Sequence, residues 1–177
     1  MRPVILYITA SLDGFIAEPG GGMSWLDEAS TADSDFGYAE FYASIDTMLM
    51  GSATYEFVLH EAEAFPHADR DVFVFTSRDL PIAAESVALV RTDAAEFVRG
   101  LKARDGGPIW LVGGGKLNSS LLDPRLVDEI RLFVQPVVLG GGVPLFAAPN
   151  AGARLGLVTT REWPLGVVEL RYRLGAQ

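Results

Sequence analysis

The sequence contains no cysteine and only two histidines among its 177 residues. The lack of cysteine excludes disulfide bonds, thiolate metal sites and a cysteine nucleophile, and it is typical of cytosolic proteins. His60 and His67 lie in a polar stretch without metal-ligand spacing, so we expect two surface histidines and no metal site.

Positive charge is also scarce, with 14 lysines and arginines against 23 aspartates and glutamates and a formal net charge of −9. Without a lysine- or arginine-rich stretch, nucleic acids and anionic membrane surfaces are poor partners. No apolar run has the length of a membrane span, and residues 4–8 form a run too short for a signal peptide. We therefore expect a cytoplasmic protein with neither nucleic-acid nor membrane partners.

Residues 109–117 contain a strand, a glycine turn and a helix start in direct succession. The apolar run 109–112 is followed by Gly113-Gly114-Gly115, and Lys116-Leu117 then opens a segment with helical apolar spacing. The first N–H groups of a helix and its dipole point into such a turn, which favours a phosphate or pyrophosphate. A tight turn without a ligand is the alternative. The spacing matches neither the P-loop nor the dinucleotide fingerprint, so nucleotide binding here implies a different fold.

Two further loops of this kind follow other predicted strands. Residues 47–50 end at Gly51 before Ser52-Ala53-Thr54, and the strand at 71–76 leads into Thr76-Ser77-Arg78. Strands alternate with helices up to residue 122, which predicts a largely parallel sheet covered on both faces. Because such loops share the carboxyl edge of the sheet, we expect them to form one phosphate site.

The remainder of the chain changes character but shows no linker. Residues 155–163 and 166–174, separated by Pro164-Leu165, are interpreted as an antiparallel hairpin, because apolar and polar side chains alternate from Val168 to Arg173. We expect the whole chain, 1–177, to form a single domain.

Candidates for proton transfer are few. Asp35 precedes the apolar stripe of a predicted helix (Tyr38, Phe41, Tyr42 and Ile45), so burial could raise its pKa toward useful values. The alternative is that Asp35 only caps that helix, as Asp33 or Ser34 could. Trp25 follows a glycine-rich loop and is interpreted either as part of a lid or as an anchor on the core.

Several motifs, in the expected order, resemble the dihydrofolate reductase superfamily: Ala10-Ser11-Leu12-Asp13-Gly14-Phe15-Ile16-Ala17, Met50-Gly51-Ser52-Ala53-Thr54-Tyr55-Glu56, Phe75-Thr76-Ser77-Arg78 and Val112-Gly113-Gly114-Gly115. Residues 126–132 and 136–146 resemble more specifically the reductase domain of the bifunctional riboflavin-biosynthesis deaminase-reductase, in its stand-alone bacterial form. This resemblance implies a three-layer α/β fold with a mixed, mainly parallel sheet and a C-terminal antiparallel hairpin.

The resemblance also implies NADPH as the cofactor. Its expected contacts are the pyrophosphate loops Gly51, Ser52, Ala53, Thr54 and Val112, Gly113, Gly114, Gly115, Lys116, Leu117, the adenosine-phosphate loop Thr76, Ser77, Arg78, and the nicotinamide neighbours Ala10, Ile16, Ala17. Ser52 stands where the family usually has an arginine for the ribose 2′-phosphate, and Arg78, or failing that Arg91, is the candidate replacement. Asp35 takes the place of the acidic residue that hydrogen-bonds the pterin in folate reductases.

The activity implied is hydride transfer from NADPH to a small heterocyclic (pyrimidine- or pterin-like) or carbonyl substrate, with Asp35 or a water supplying the proton. The protein would be related to 5-amino-6-(5-phosphoribosylamino)uracil reductase of riboflavin biosynthesis. The alternatives are dihydrofolate reduction and a non-catalytic NADP-binding module.

The resemblance also implies that the protein forms a homodimer. Because the sequence lacks the zinc-binding deaminase signature, we expect a riboflavin-pathway role to need a partner enzyme.

Overall fold

The computed structural model describes residues 1–26, 34–150 and 152–175. Within these ranges the chain forms ten strands and four α-helices, in the order β1 (Val4–Ser11), β2 (Phe15–Ala17), α1 (Tyr38–Ser44), β3 (Thr47–Gly51), α2 (Ser52–Glu61), β4 (Asp71–Phe75), β5 (Val87–Val90), α3 (Ala94–Lys102), β6 (Ile109–Gly113), α4 (Gly115–Leu122), β7 (Glu129–Gln135), β8 (Val143–Pro144), β9 (Leu155–Glu162) and β10 (Val168–Leu174).

Eight strands form one mixed sheet in the order β5-β4-β3-β6-β1-β7-β10-β9. The six strands from β5 to β7 run parallel, whereas β10 pairs antiparallel with both β7 and β9. This confirms the predicted mixed, mainly parallel sheet and the C-terminal hairpin. The strands β2 and β8 form a separate antiparallel ribbon.

The two faces of the sheet carry separate hydrophobic cores because successive side chains of a strand point in opposite directions. Val4 and Leu6 of β1 face the core that α3 and α4 cover, with Leu101 and Leu121 among its members. Ile5 lies on the opposite face, in the core that contains side chains of α1 and α2. The apolar strand runs of the sequence are thus buried on both sides.

The starts of α3 and α1 are formed in different ways. The Asp93 carboxylate accepts a hydrogen bond from the Glu96 backbone N–H at 2.9 Å and so caps the start of α3. The helix predicted from Asp35 begins three residues later, at Tyr38. Gly37 precedes it with a φ of 77°, a conformation that glycine adopts without strain.

Candidate functional site

The three loops selected from the sequence line one cleft at the carboxyl edge of the parallel strands. The cleft has a volume of about 760 Å³. Of the predicted cofactor contacts, it brings together Gly51, Ser52, Ala53, Thr54, Thr76, Ser77, Gly114, Gly115, Lys116 and Leu117. The loops meet because β4, β3 and β6 are adjacent and parallel, so that their carboxyl ends lie side by side.

Two helix N-termini meet in this cleft. Helix α2 begins directly after Gly51, and α4 begins directly after Gly114. A Cβ on Gly51 would lie 4.0 Å from the Gly114 Cα, and the Thr54 hydroxyl donates to the Gly113 carbonyl at 3.2 Å. Gly114 has a φ of 108°, which disfavours any other residue. The first N–H groups and the positive dipole ends of both helices therefore point into the same space. This is an arrangement that can bind a pyrophosphate.

Within the described part of the chain, the cleft is lined by two charged side chains, the basic residues Lys116 and Arg91. This is unusual for a chain with a net charge of −9. The Arg91 guanidinium donates to the Ser77 carbonyl at 3.1 Å and pairs with Asp79. Phe75, Val90 and Ala94 add apolar wall beside it. The cleft therefore combines phosphate-binding groups with an apolar slot, which suits a nucleotide.

Arg78 is placed differently from Arg91. Its guanidinium binds the Glu56 carboxylate at 3.0 and 2.5 Å, and it does not line the cleft. This bidentate contact raises the pKa of Arg78 above its usual value. Sequence reasoning ranked Arg78 above Arg91 because Arg78 adjoins Thr76-Ser77. It missed the pairing with Glu56, a residue 22 positions away.

The predicted nicotinamide neighbours do not line the cleft, and neither do Val112 and Gly113 at the end of β6. Ala10 is buried in β1, and Ile16 packs against the core on the α4 side of the sheet. Ala17 pairs with Val143, which does line the cleft. Val112 packs on the opposite face of the sheet, and Gly113 contributes its carbonyl to the Thr54 hydroxyl.

The ribbon of β2 and β8 supplies one wall of the cleft, through Gly142, Val143 and Pro144. A Cβ on Gly115 would overlap the Pro144 carbonyl oxygen, so the wall lies directly against the start of α4. The Gly115 carbonyl accepts from the Ala147 N–H at 3.1 Å, and the Asn118 amide donates to the Leu145 carbonyl at 2.8 Å. No local sequence pattern predicts this wall, because its contacts join residues that are about 30 positions apart in the chain.

A second, smaller cavity of about 280 Å³ lies beside β1, β7 and the start of α1. We refer to it as the aromatic cavity, lined by Tyr7, Thr9, Leu26, Ser34, Asp35, Phe36, Tyr38, Phe133 and Gln135. Thr9 lines this cavity and is followed by Ala10, one of the predicted nicotinamide neighbours. Because the cavity also contains Asp35, the candidate for proton transfer, we take it as the candidate substrate site.

Asp35 lies in the aromatic cavity, but the expectation that burial raises its pKa is wrong. The side chain is exposed, and its carboxylate accepts hydrogen bonds from the backbone N–H groups of Ala39 and Gly37, both at 2.9 Å. The hydrogen bond from Ala39 has the largest effect, followed by that from Gly37, and together they hold the pKa of Asp35 below its ordinary value. Asp35 is therefore ionised at neutral pH and stabilises the first turn of α1.

Of the two histidines predicted at the surface, His60 is exposed and His67 is not. The His67 ring lies 5.9 Å from that of Trp110, and burial lowers the pKa of His67. The Trp110 indole faces the α1 side of the sheet and donates to the Tyr7 carbonyl at 2.9 Å.

Trp25 lies in a 3-10 turn, Ser24–Leu26, and is half-buried. The next residue, Leu26, lines the aromatic cavity. Whether Trp25 closes over a ligand stays a prediction.

Asp33, one of the candidate caps of α1, lies outside the described residues. The part of the chain that the structure describes contains no helix long and apolar enough to cross a membrane.

The chain has a dihydrofolate reductase-like fold. The chain superposes on dihydrofolate reductase from Enterococcus faecalis, solved with NADP(H), with a TM-score of 0.72, 15% identity and coverage of 98% of this chain and 97% of that one. It superposes on a putative riboflavin biosynthesis protein from Shewanella sp. PV-4 with a TM-score of 0.87, 24% identity and coverage of 99% and 100%. At these identities the likeness establishes the fold.

Comparison of the amino-acid sequence identifies the family to which the chain belongs. The family model described as RibD C-terminal domain matches residues 2–168. The uncharacterized protein YwjB of Bacillus subtilis is 37% identical over 171 residues, 97% of each chain. The protein thus belongs to the RibD C-terminal domain family, as the sequence motifs predicted.

Proposed function

We propose that the protein is a reductase that uses NADPH to reduce a small heterocyclic or carbonyl substrate and is related to 5-amino-6-(5-phosphoribosylamino)uracil reductase. The observation that carries this proposal is the meeting of two helix N-termini with Arg91 and Lys116 in one cleft. Membership of the RibD C-terminal domain family supports it. Dihydrofolate reduction and a non-catalytic NADP-binding module are the alternatives.

The cleft fits the chemistry of NADPH. Its helix N-termini suit the pyrophosphate, the hydroxyls of Thr76 and Ser77 suit the adenosine phosphates, and Arg91 suits the ribose 2′-phosphate in place of the missing arginine at Ser52. When bound, NADPH supplies the hydride. The residues of the chain would hold the cofactor and keep the substrate in place beside Thr9 and Ala10.

The choice between Arg91 and Arg78 gives the first test of the cofactor assignment. We expect Arg91→Ala to weaken NADPH binding about tenfold, since a guanidinium–phosphate contact is lost, and to leave NADH binding unchanged. Arg78→Ala is the matched control, since each arginine pairs with one carboxylate, and it should leave both affinities unchanged because Arg78 does not line the cleft. Calorimetric titration of the three proteins measures the dissociation constants. If neither nucleotide binds the unmutated protein, the cofactor assignment fails.

Asp35 provides a test of catalysis. Because Asp35 is ionised, we propose that it holds the substrate or a water by accepting a hydrogen bond, and that water supplies the proton. We expect Asp35→Asn to lower kcat/KM about 100-fold for the pyrimidine that the protein reduces. The asparagine side chain can still cap α1, so Tm should change little. Unchanged turnover would show that Asp35 is only a helix cap.

We also propose that two copies form a homodimer. Strand β9 lies at the edge of the sheet with all eight residues exposed, Leu155, Leu157 and Val158 among them. Unpaired apolar edges of this kind are normally covered. A molar mass in solution near twice 19.1 kDa would support the dimer, and a value near 19.1 kDa would contradict it.

A further inference from the structure

Among the residues that the structure describes, Asp35 is the only charged side chain on the walls of the aromatic cavity. Its lining is aromatic and neutral apart from Asp35, which is ionised and contributes a negative charge. Gln135 is buried, and Thr9 is half-buried beside it on the neighbouring strand. Among the described residues, neither side chain has a hydrogen-bond partner. The Thr9 hydroxyl and the Gln135 amide can therefore bind the neutral hydrogen-bond donors and acceptors of a planar ring.

The segment of the chain that supplies most of the lining carries no positive charge. Between Arg2 and Arg70 the sequence contains no lysine or arginine but twelve aspartates and glutamates. This segment supplies most of the lining, from Tyr7 to Tyr38. It also includes residues 27–33, which lie outside the described ranges, and which by composition add only acidic charge through Asp27, Glu28 and Asp33.

The nearest cations on other elements are already bound. The Arg131 guanidinium lies over the Phe41 ring at 5.4 Å and donates to the Glu129 carboxylate at 2.6 Å. The Arg161 guanidinium stacks on Trp163 at 3.6 Å. Neither arginine lines the aromatic cavity. Burial raises the pKa of Tyr7, a lining residue, and the Glu169 carboxylate raises it by more than the charge of Arg131 lowers it. A negatively charged ligand would therefore meet Asp35 with no cation among the described lining residues.

Resting on the proposed function, we infer that the substrate of this protein is an uncharged or cationic planar compound without a phosphate group. A phosphate monoester carries about two negative charges at neutral pH, and removing it from water is costly unless a cation receives it. A phosphoribosyl group therefore does not fit, nor do the glutamate carboxylates of a folate. The volume of about 280 Å³ also lies near the lower end for ligand sites, which suits a small ring.

The absence of cysteine allows the charge of the cavity to be measured directly. Thr9→Cys places a single thiol in the aromatic cavity, and Ser52→Cys places one in the cofactor cleft as the matched control. Each variant reacts with a cationic and an anionic methanethiosulfonate reagent of similar size. We expect Thr9→Cys to favour the cationic reagent at least tenfold more than a free thiol does, with the preference falling as salt is added. We expect Ser52→Cys to favour the anionic reagent.

A second measurement uses one matched pair of ligands on the unmutated protein. The probes are 5-amino-6-ribosylaminouracil and its 5′-phosphate, titrated into the protein saturated with NADP⁺. We expect the phosphate-free compound to bind at least tenfold more tightly, with a smaller gap in Asp35→Asn. Equal or tighter binding of the phosphate, or a preference of Thr9→Cys for the anionic reagent, would overturn the inference. Failure of NADP⁺ to bind would instead contradict the proposed function, because the thiol measurement needs no cofactor.

Discussion

Gly115→Ala is expected to abolish tight binding of NADPH. The added Cβ would overlap the Pro144 carbonyl oxygen and lie 3.5 Å from the Ala147 nitrogen, so residues 143–147 must move away from α4. Because Val143 and Pro144 form a wall of the cleft, we expect the dissociation constant for NADPH to rise at least 100-fold, or about 2.7 kcal/mol. Overpacking should also lower the free energy of unfolding by about 1–3 kcal/mol.

The control for this change is Gly100→Ala. Gly100 lies on the exposed side of α3, where a Cβ would meet no atom within 4 Å. We expect this variant to bind NADPH normally and to gain about 0.4–1 kcal/mol of stability. Calorimetry and urea unfolding measure the two quantities. If Gly115→Ala binds NADPH as the unmutated protein does, the wall formed by β8 is not part of the cofactor site.

Glu129→Gln is expected to cause the largest loss of stability. The Glu129 side chain is 9% exposed, and its carboxylate accepts from Arg131 at 2.6 Å and Arg171 at 2.7 Å, with Arg173 at 3.7 Å. Removing the charge leaves three guanidinium groups without their counter-ion. We expect a loss of about 3 kcal/mol, the lower end of the range for broken buried pairs, because the arginines keep some contact with water.

The effect of Glu129→Gln should depend on pH. Burial raises the pKa of Glu129, but the hydrogen bonds from Arg171 and Arg131 outweigh it and hold the pKa below the ordinary value of 4.5. Since the folded pKa is the lower one, the carboxylate stabilises the fold above pH 4.5 and loses this contribution as the pH falls through the folded value. Urea unfolding should show the gap to the unmutated protein narrowing in acid.

The control for Glu129→Gln is Glu85→Gln, which changes an exposed carboxylate without an ion pair among the described residues. We expect it to alter stability by less than about 0.5 kcal/mol. If the two variants are equally stable at neutral pH, the arginine cluster contributes nothing to the fold.

The convergence of the three loops was predictable because it depends on local patterns and one topological rule. Strand–glycine–helix junctions at Gly51 and Gly113 are visible in the sequence, and parallel strands place their carboxyl ends on one edge. The choice of basic residue was not predictable in the same way. Arg91 enters the cleft from the end of β5, whereas Arg78, the favoured candidate, is held by Glu56.

Predictions about individual side chains failed where the sequence leaves open which groups a side chain contacts. His67 lies in a polar stretch of sequence, yet it packs on Trp110, a residue of a central strand. Asp35 precedes an apolar helix face, yet its carboxylate points to the backbone N–H groups of its own turn. The β8 wall over Gly115 depends on a long-range contact that no spacing rule contains.

Hydrogen–deuterium exchange with and without NADP⁺ tests most directly whether the three strand ends form one cofactor site. The account predicts saturable protection of backbone amides in three separate segments, around 51–54, 75–77 and 114–117, with the same concentration dependence. The wall at 142–147 should be protected with them. Protection of only one segment, or protection centred outside these segments, would contradict the assignment of the cleft to NADPH.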